Sequence, residues 1–160
     1  MTHTYRYKTP KQFDDLKLVS DGEYLIEVSF IRNEEKIINS DRRYFTDAIR
    51  WLDIYFAHKI PDFSPRYRID DLTSFRKRVI EIMEKIPYGK TMTYGQIAEM
   101  IAKEKGIPKM SAQAVGNAVG FNPICIIIPC HRVMGAHNRI TGYGGGIKNK
   151  AALLQLEAAF

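Results

Sequence analysis

The first forty residues alternate apolar and polar side chains in short stretches, a pattern typical of strands. The segment "GEYLIEVSFI" alternates roughly, and "EEKII" follows "RNEE" at the spacing of a tight hairpin. The spacing then becomes helical and predicts a helix over residues 46–58, with Thr46 as its cap. Its apolar face comprises Ala48, Trp51, Leu52, Tyr55 and Phe56. Residues 60–71 contain two prolines and little periodicity, so we interpret them as a linker.

The second half of the chain has mostly helical periodicity. "TSFRKRVIEIMEKI" predicts a helix that ends at "PYGK", and "TYGQIAEMIAKE" predicts another that opens with a capping box between Thr93 and Gln96. "SAQAVGNAVG" predicts a third helix, capped by Ser111 and ended by Gly120. "NPICIIIPC" is predicted to be extended, and "GIKNKAALLQLEAAF" to form a final helix. The inward positions comprise Phe75, Val79, Ile82, Met83 and Ile86 in the first of these helices and Leu153, Leu154 and Leu156 in the last.

The two middle helices, joined by "KGIPKM", form a pair that looks like a helix-turn-helix. The second helix of this pair is rich in small residues. Small side chains let a helix backbone approach something closely, either another helix or a nucleic-acid groove, and the sequence leaves both readings open. The small positions are Ala112, Ala114, Gly116, Ala118 and Gly120.

Composition narrows the class of protein. A chain of 160 residues with 45% hydrophobic content can form one or two small domains with a real core. The longest apolar run, Ile124 to Ile128, is far shorter than the ~20 residues of a membrane span. The polar, basic start "MTHTYRYKTPK" does not match a secretory signal. These features predict a cytoplasmic protein, or a nuclear one in a source with a nucleus, without membrane contact.

The positive charge is concentrated in the second half. The net charge is +6, yet residues 1–70 carry 12 Lys or Arg and 12 Asp or Glu, so their balance is zero. Residues 71–160 carry 12 basic and 6 acidic residues, and no acid occurs between Lys105 and Gln155. A one-signed stretch of this length indicates a polyanionic partner, most often nucleic acid.

The segment "IIIPCHRVMG" carries the candidate chemistry. Cys130, His131 and Arg132 follow one another, and a nearby imidazole or guanidinium favours the thiolate that makes cysteine a nucleophile. Adjacent residues of a strand point to opposite faces, so contact between Cys130 and His131 needs a turn or a bridging water. Cys125, among isoleucines, reads as a core residue. In an extended segment the two cysteines would lie ~16 Å apart, too far for a disulfide.

Other readings of Cys130 stay open on local grounds. The cysteine can simply be a small core residue, which is the commoner case. A metal site would use Cys125, Cys130, His131 and His137, but their spacing matches no common zinc pattern. A cysteine protease would need a distant histidine to orient on the thiol.

Several stretches together carry a resemblance to a known family. "PCHRV" is preceded by "NP" and an isoleucine-rich run and is followed by "TGYGGG" and a helix ending in "LLQLE"; "GKTMTYGQIA" and "SAQAVGNAVG" precede it in order. Over residues 73–158 this arrangement resembles the O6-alkylguanine-DNA alkyltransferases. The resemblance implies an α+β fold: a ribonuclease-H-like N-terminal domain with a short antiparallel sheet (1–70, with linker), and a mainly helical, winged-helix-like DNA-binding and alkyl-transfer domain (71–160).

The resemblance also implies the reaction. An O6-alkylguanine would be flipped out of duplex DNA into a pocket, because its O6 group is not accessible within the stack. Cys130 would attack the alkyl carbon and keep the group, so each molecule would act once, as a monomer and without a cofactor. No metal is expected, since the N-terminal half has no cysteine. The alternatives are a lesion binder of the alkyltransferase-like kind, which lacks the cysteine, and a helix-turn-helix regulator.

The resemblance also implies roles in the reaction for the residues that match the family's motifs. His131 would act through a water as the base that ionises Cys130, and Glu157 would hold the His131 ring. Asn122 would brace the turns of the segment that carries Cys130. Tyr94 would donate a proton or hydrogen bond to the leaving base and contact its phosphate.

The resemblance further implies the walls of a base pocket. Tyr143 would form one wall, and the Gly144–Gly146 backbone would lie close to O6 of the base. The carbonyls of Cys130 and Val133 would read the exocyclic amine of guanine, whereas Arg132 would tie neighbouring segments together. The residues expected at or beside this pocket are Arg132, Val133, Tyr143, Gly144 and Gly145.

The remaining implied residues contact the DNA duplex. Ala112, Ala114 and Gly116 would let the second helix of the pair lie deep in the minor groove. Many family members have an arginine on this helix that fills the gap left by the flipped base; Gln113 stands at that position. Thr93, at the start of the preceding helix, is expected beside the DNA.

Overall fold

The computed structural model describes residues 1–158, and its N-terminal part contains a three-stranded antiparallel sheet. Each strand pairs with the next in chain order, so the sheet is built from two successive antiparallel connections. Leu16, Leu18 and Val28 are fully buried, as expected for one apolar face of a sheet. The strands are β1 (His3–Tyr7), β2 (Leu16–Ser20) and β3 (Leu25–Phe30).

The hairpin expected around "EEKII" is wrong, because residues 31–41 contain no strand. This segment runs beside β1 instead, where Ser40 N donates a hydrogen bond to Thr4 O at 2.8 Å. Ile38 is 89% exposed. A short hairpin without an apolar face to bury is marginal in water, so the local alternation does not produce one here.

The first helix, α1 (Thr46–Phe56), begins where the sequence predicts, but Thr46 does not cap it. The chain enters α1 through a short 3-10 turn (Arg42–Phe45), and Asp41 caps that turn by accepting a hydrogen bond from Arg43 N at 2.9 Å. The Thr46 hydroxyl donates back to Arg43 O at 3.2 Å. The preceding turn continues directly into α1, which is why the side-chain cap moves upstream.

In the second half, the described residues up to 158 contain four α-helices and two very short strands. The capping box predicted at Thr93 is confirmed: its hydroxyl accepts from Gln96 N at 3.0 Å, and Gln96 Oε1 accepts from Thr93 N at 2.9 Å. The Ser111 cap is also confirmed, with Ser111 Oγ accepting from Ala114 N at 3.2 Å. The elements are α2 (Ser74–Glu84), β4 (Met92–Thr93), α3 (Tyr94–Lys105), α4 (Ala112–Gly120), β5 (Val133–Met134) and α5 (Ile147–Ala158), with β4 and β5 paired in parallel.

One hydrophobic core joins the sheet, α1 and the C-terminal helices. Val28 N donates to Pro123 O at 2.8 Å, and Cys125 N donates to Val28 O at 3.0 Å, so β3 lies beside the segment that leads to Cys130. The α+β class, with a short antiparallel sheet and a mainly helical second half, is confirmed. The boundary near residue 70 stays a prediction. Within residues 1–158 no helix has the length and apolar character needed to cross a membrane.

Candidate active site

The segment before Cys130 is a tight turn, so the extended strand expected there is wrong. Ile128 N donates to Ile124 O at 3.0 Å, and Ile126 has a φ of 70°, which reverses the chain. A β-branched residue in this left-handed region is strained, and such strain persists only where surrounding contacts impose it. Strand-like pairing of this turn amounts to a single bridge between Ile124 and Val28.

Asn122 supplies the contacts that impose this turn. Its amide nitrogen donates to Ile128 O at 3.0 Å and to Ile124 O at 3.4 Å, while its Oδ1 accepts from Ile124 N at 2.9 Å. The side chain is only 7% exposed. Asparagine thus takes the backbone groups that a sheet would otherwise pair, which is its usual competition with regular structure. The expected brace lies where the resemblance placed it.

The turn brings the two cysteines together, which corrects the separation of ~16 Å expected for an extended segment. Each thiol influences the pKa of the other, which requires that the two side chains lie close together. Both line one cavity of about 180 Å³. Cys130 is buried, whereas Cys125 is half-buried. Cys125 is therefore part of the site rather than only a core residue.

The surroundings of Cys130 favour its thiolate. The hydrogen bond from Cys125 is the largest influence and lowers the pKa of Cys130, while burial opposes it. Hydrogen bonds from Asn122 and Tyr143 and the charge of Lys150 also favour the anion, and the pKa of Cys130 falls to about 7. The same thiol–thiol hydrogen bond raises the pKa of Cys125, which stays protonated as the donor.

Lys150 is a site residue that the sequence reasoning missed. It is fully buried, and its Nζ donates to Val133 O at 2.6 Å and to Thr141 O at 3.2 Å. Burial lowers its pKa. The Val133 carbonyl, expected to face the guanine amine, already accepts this hydrogen bond. The helical spacing held a signal, because Lys150 lies three residues before the buried Leu153 on the same face of α5.

Glu157, on α5, accepts hydrogen bonds from four residues that lie in three parts of the chain. His131 Nε2 lies 2.6 Å from Oε2, and Arg132 donates to both oxygens, from Nε at 2.8 Å and Nη2 at 3.0 Å. The Tyr55 hydroxyl donates at 2.6 Å and Gly89 N at 3.1 Å. Burial alone would raise the pKa of Glu157, but the hydrogen bonds of His131 and Arg132 and the charge of Arg132 hold it well below its usual range.

His131 is fully buried, and its ring is oriented by Glu157. Burial lowers the pKa of His131 despite the nearby carboxylate, so the ring is neutral at physiological pH. Because Nε2 faces an ionised carboxylate, Nε2 carries the hydrogen and Nδ1 carries the lone pair. Among residues 1–158, Nδ1 has no hydrogen-bond partner. His131 therefore makes no direct hydrogen bond to Cys130 through this nitrogen.

Arg132 lies outside the cavity that holds the thiols. Its guanidinium donates two hydrogen bonds to Glu157, and Nη1 donates a third to Ile86 O at 2.8 Å, just after α2. The structure therefore places Arg132 where it ties three segments together, and not against the base pocket.

The cavity walls come from both halves of the chain. The Tyr143 hydroxyl is buried beside both thiols, and its ring meets Phe30 of β3 edge-on at 6.5 Å. Tyr94 is half-buried and lines the same cavity. A Cβ at Gly145 would lie 2.8 Å from both the Phe30 and the Tyr143 rings, whereas one at Gly144 would meet open space. Gly145 is thus the position where the wall admits no side chain.

The outer face of α4 borders a groove that adjoins this cavity. Ala112 and Gln113 are exposed, Ala114 and Gly116 are half-buried, and Thr93 lies across the groove. The inner face of α4, in contrast, is buried and packs on the core at Val115, Ala118 and Val119. Helix packing is therefore confirmed for the inner face, whereas contact of the outer face with a nucleic-acid groove stays a prediction.

The other sequence readings gain no support from the geometry. Across the described part of the chain, no group of three or more His, Cys, Asp or Glu side chains could hold a metal ion. His137, a candidate ligand, is exposed on a turn, and His131 is committed to Glu157.

Comparison with known proteins agrees with this arrangement. Residues 74–159 match the family model for the DNA-binding domain of 6-O-methylguanine DNA methyltransferase. A methylated-DNA–protein-cysteine methyltransferase of Methanosarcina acetivorans is 42% identical over 147 residues, covering 89% of this chain and 90% of the relative.

Solved structures give the same result. The O6-methylguanine methyltransferase of Mycobacterium tuberculosis superposes with a TM-score of 0.82 at 36% identity, covering 99% of this chain and 94% of that one. OGT of the same organism in complex with DNA gives a TM-score of 0.79 at 37% identity, covering 99% and 92%. The resemblance noted from the motifs is confirmed, and the chain belongs to the O6-methylguanine-DNA methyltransferase family.

Proposed function

We propose that this chain repairs duplex DNA by moving the alkyl group of an O6-alkylguanine onto its own Cys130. The observation that carries the proposal is the Cys130 thiol, which faces a cavity and is surrounded by groups that favour its anion. The protein acts once, because the thioether it forms is not cleaved by any group in the site. Cys130 also argues against a lesion binder, which needs no nucleophile.

The transfer step needs only groups of this chain and the base. The Cys130 sulfur attacks the alkyl carbon, forming a C–S bond as the bond from carbon to guanine O6 breaks. The electron pair of that bond stays with the guanine, which then takes up one proton. Tyr94, which lines the cavity, donates a hydrogen bond to the leaving base in this proposal.

His131 and Glu157 supply the ionisation of the thiol. The Nδ1 lone pair of His131 accepts the thiol proton through a bridging water, while Glu157 holds the ring and offsets the positive charge that forms. The arrangement of base and orienting carboxylate is the one that activates nucleophiles in many enzymes.

The DNA contacts follow from the outer face of α4 and the basic second half. Lys105, Lys109 and Lys148 are exposed, and no acid occurs between Lys105 and Gln155. With Gln113 at the groove, we infer that a single molecule flips the damaged base out of the duplex and that Gln113 hydrogen-bonds the unpaired cytosine. We further infer that it acts where the DNA lies, in the cytoplasm or in a nucleus.

The deciding experiment measures intact mass after incubation with duplex DNA containing O6-methylguanine. We expect a gain of one methyl group on Cys130, absent from Cys130→Ala. A protein that stays unmodified with excess substrate contradicts the proposal. Duplex DNA with unmodified guanine serves as the matched control.

The base role of His131 has its own test. His131→Ala should slow transfer most near neutral pH and less at high pH, where the thiol ionises without help. Equal slowing at every pH would show that the histidine only supports the fold. Thermal melting of the variant checks that it is folded.

The basic face is tested through salt dependence. Substitution of Lys105, Lys109 or Lys148 by alanine should weaken DNA binding and flatten its dependence on salt, by about one unit of log–log slope for each phosphate that the variant no longer neutralises. Lys11→Ala, which removes an exposed lysine of the N-terminal part, should leave the slope unchanged. An unchanged slope in all four variants would remove the basic-face argument.

A further inference from the structure

A second thiol lines the cavity, and it is not the atom that accepts the alkyl group. Cys125 lines the same cavity as Cys130, and each thiol influences the pKa of the other. The turn that joins them passes through the strained Ile126 and is held by the contacts of Asn122. The contact is therefore fixed by the fold and is not a chance approach of two loops.

Two thiols in contact can form a disulfide with little movement. A disulfide requires sulfur atoms about 2 Å apart and Cα atoms within about 7 Å. Cys125 and Cys130 are both free in this structure, and they line one cavity from positions five residues apart on a single tight turn. The cavity between them is large enough to admit a small oxidant such as a hydroperoxide.

We propose that Cys125 is a resolving cysteine, which captures Cys130 in a reversible disulfide when a hydroperoxide enters the cavity. This proposal rests on the function proposed above only in taking Cys130 as the reactive thiol. The chain thereby contains a modification site in addition to its alkyl-acceptor site, and both use the same sulfur.

The chemistry balances in two steps. The Cys130 thiolate attacks one oxygen of the hydroperoxide, breaking the O–O bond and giving the sulfenic acid Cys130–SOH and the leaving hydroxide or alkoxide, which takes up the thiol proton. The Cys125 sulfur then attacks the sulfenic sulfur, forming the S–S bond and releasing water. The two thiols are oxidised by two electrons and the hydroperoxide is reduced by two.

A reversible disulfide would protect Cys130, because each protein molecule can accept only one alkyl group. Without a resolving thiol, a second equivalent of hydroperoxide converts a sulfenic acid into a sulfinic acid, which ordinary thiols do not reduce. The neighbouring Cys125 competes with that step at very high effective concentration. The disulfide holds the acceptor sulfur in a form that a dithiol reductant restores by exchange.

The test reads the disulfide directly. The full-length protein is treated with hydrogen peroxide, and free thiols are blocked with iodoacetamide. The masses of the tryptic peptides are then measured by mass spectrometry. Cleavage after Lys109 and Arg132 leaves both cysteines in one peptide. We expect this peptide to lack two hydrogens and to carry no blocking group, and dithiothreitol should restore both thiols and methyl transfer.

Two matched proteins sharpen the result. Cys125→Ser should accumulate sulfinic acid at Cys130 and stay inactive after dithiothreitol. Wild type that has first been methylated by substrate DNA should form no disulfide. If wild-type peptide instead carries a blocked Cys125 and a sulfinic Cys130, the proposal is overturned, whether or not the Cys125 variant folds. Methyl transfer by untreated protein is measured separately, so failure of the proposed function is distinguished from failure of this one.

Discussion

Replacing Glu157 with glutamine removes one negative charge from a buried cluster while keeping the shape of the side chain. The carboxylate is 1% exposed and accepts hydrogen bonds from His131, Arg132, Tyr55 and Gly89 N. Glutamine keeps one oxygen acceptor but turns an amide N–H₂ toward groups that are themselves donors. The Arg132 charge then remains buried without a counter-charge.

The expected cost is large for a single atom change. Removing one partner of a buried ion pair costs about 3–5 kcal/mol, because the other charge stays desolvated. For a chain of this length each kcal/mol lowers the melting temperature by about 2–4 °C, so Glu157→Gln should melt roughly 6–20 °C below wild type. Since the pKa of Glu157 is held well below its usual range, the wild-type advantage should be complete above about pH 4.3 and decline as pH falls below it.

Urea unfolding and thermal melting at pH 7 measure this difference, and a surface pair supplies the control. Glu104 also accepts hydrogen bonds from an arginine, Arg78, but these two side chains are 41% and 34% exposed. Glu104→Gln makes the same chemical change and should alter stability little. The reasoning is refuted if the two variants lose similar stability, because burial would then not be the source of the cost.

Three further outcomes are expected from the site. Cys125→Ala removes the main hydrogen bond to the Cys130 sulfur, so the pKa of Cys130 should rise and methyl transfer at pH 7 should slow by up to about tenfold, with the rates converging at high pH. Gly145→Ala should slow transfer by roughly 10- to 100-fold because its Cβ overlaps two ring walls, and Gly144→Ala should lose less; single-turnover rates compare them. Gln113→Ala should slow transfer on duplex DNA by roughly 3- to 10-fold and have no effect on a single-stranded oligonucleotide, which has no unpaired partner base to hold.

Local rules in the sequence predicted the helix starts well. The caps at Thr93 and Ser111 involve residues three positions apart, so the chain needs no distant partner to form them. The cap at Thr46 failed because an upstream turn, ended by Phe45, continues into the helix. The strand-like alternation near Ile38 failed because no apolar surface covers that segment.

The segment before Cys130 shows why apolar runs mislead. Its isoleucines predict a strand, yet the Asn122 side chain takes the backbone groups that would pair in a sheet. The contact between Cys125 and Cys130 follows from that turn and was therefore missed as well. The motifs placed the reacting residues, but a partner such as Tyr55, 102 positions from Glu157, has no local signal.

The position of α5 after Cys130 in the chain also matters while the protein is being synthesised. Lys150 and Glu157 both follow Cys130 in the chain, Glu157 lying 26 positions after His131. During synthesis, Cys130 leaves the ribosome before either group has docked, so the nascent thiol lacks the positive charge of Lys150 and an oriented imidazole. The Cys130 thiol, which reacts only once, is thus less reactive until α5 packs. Newly made molecules therefore finish folding with Cys130 still unmodified.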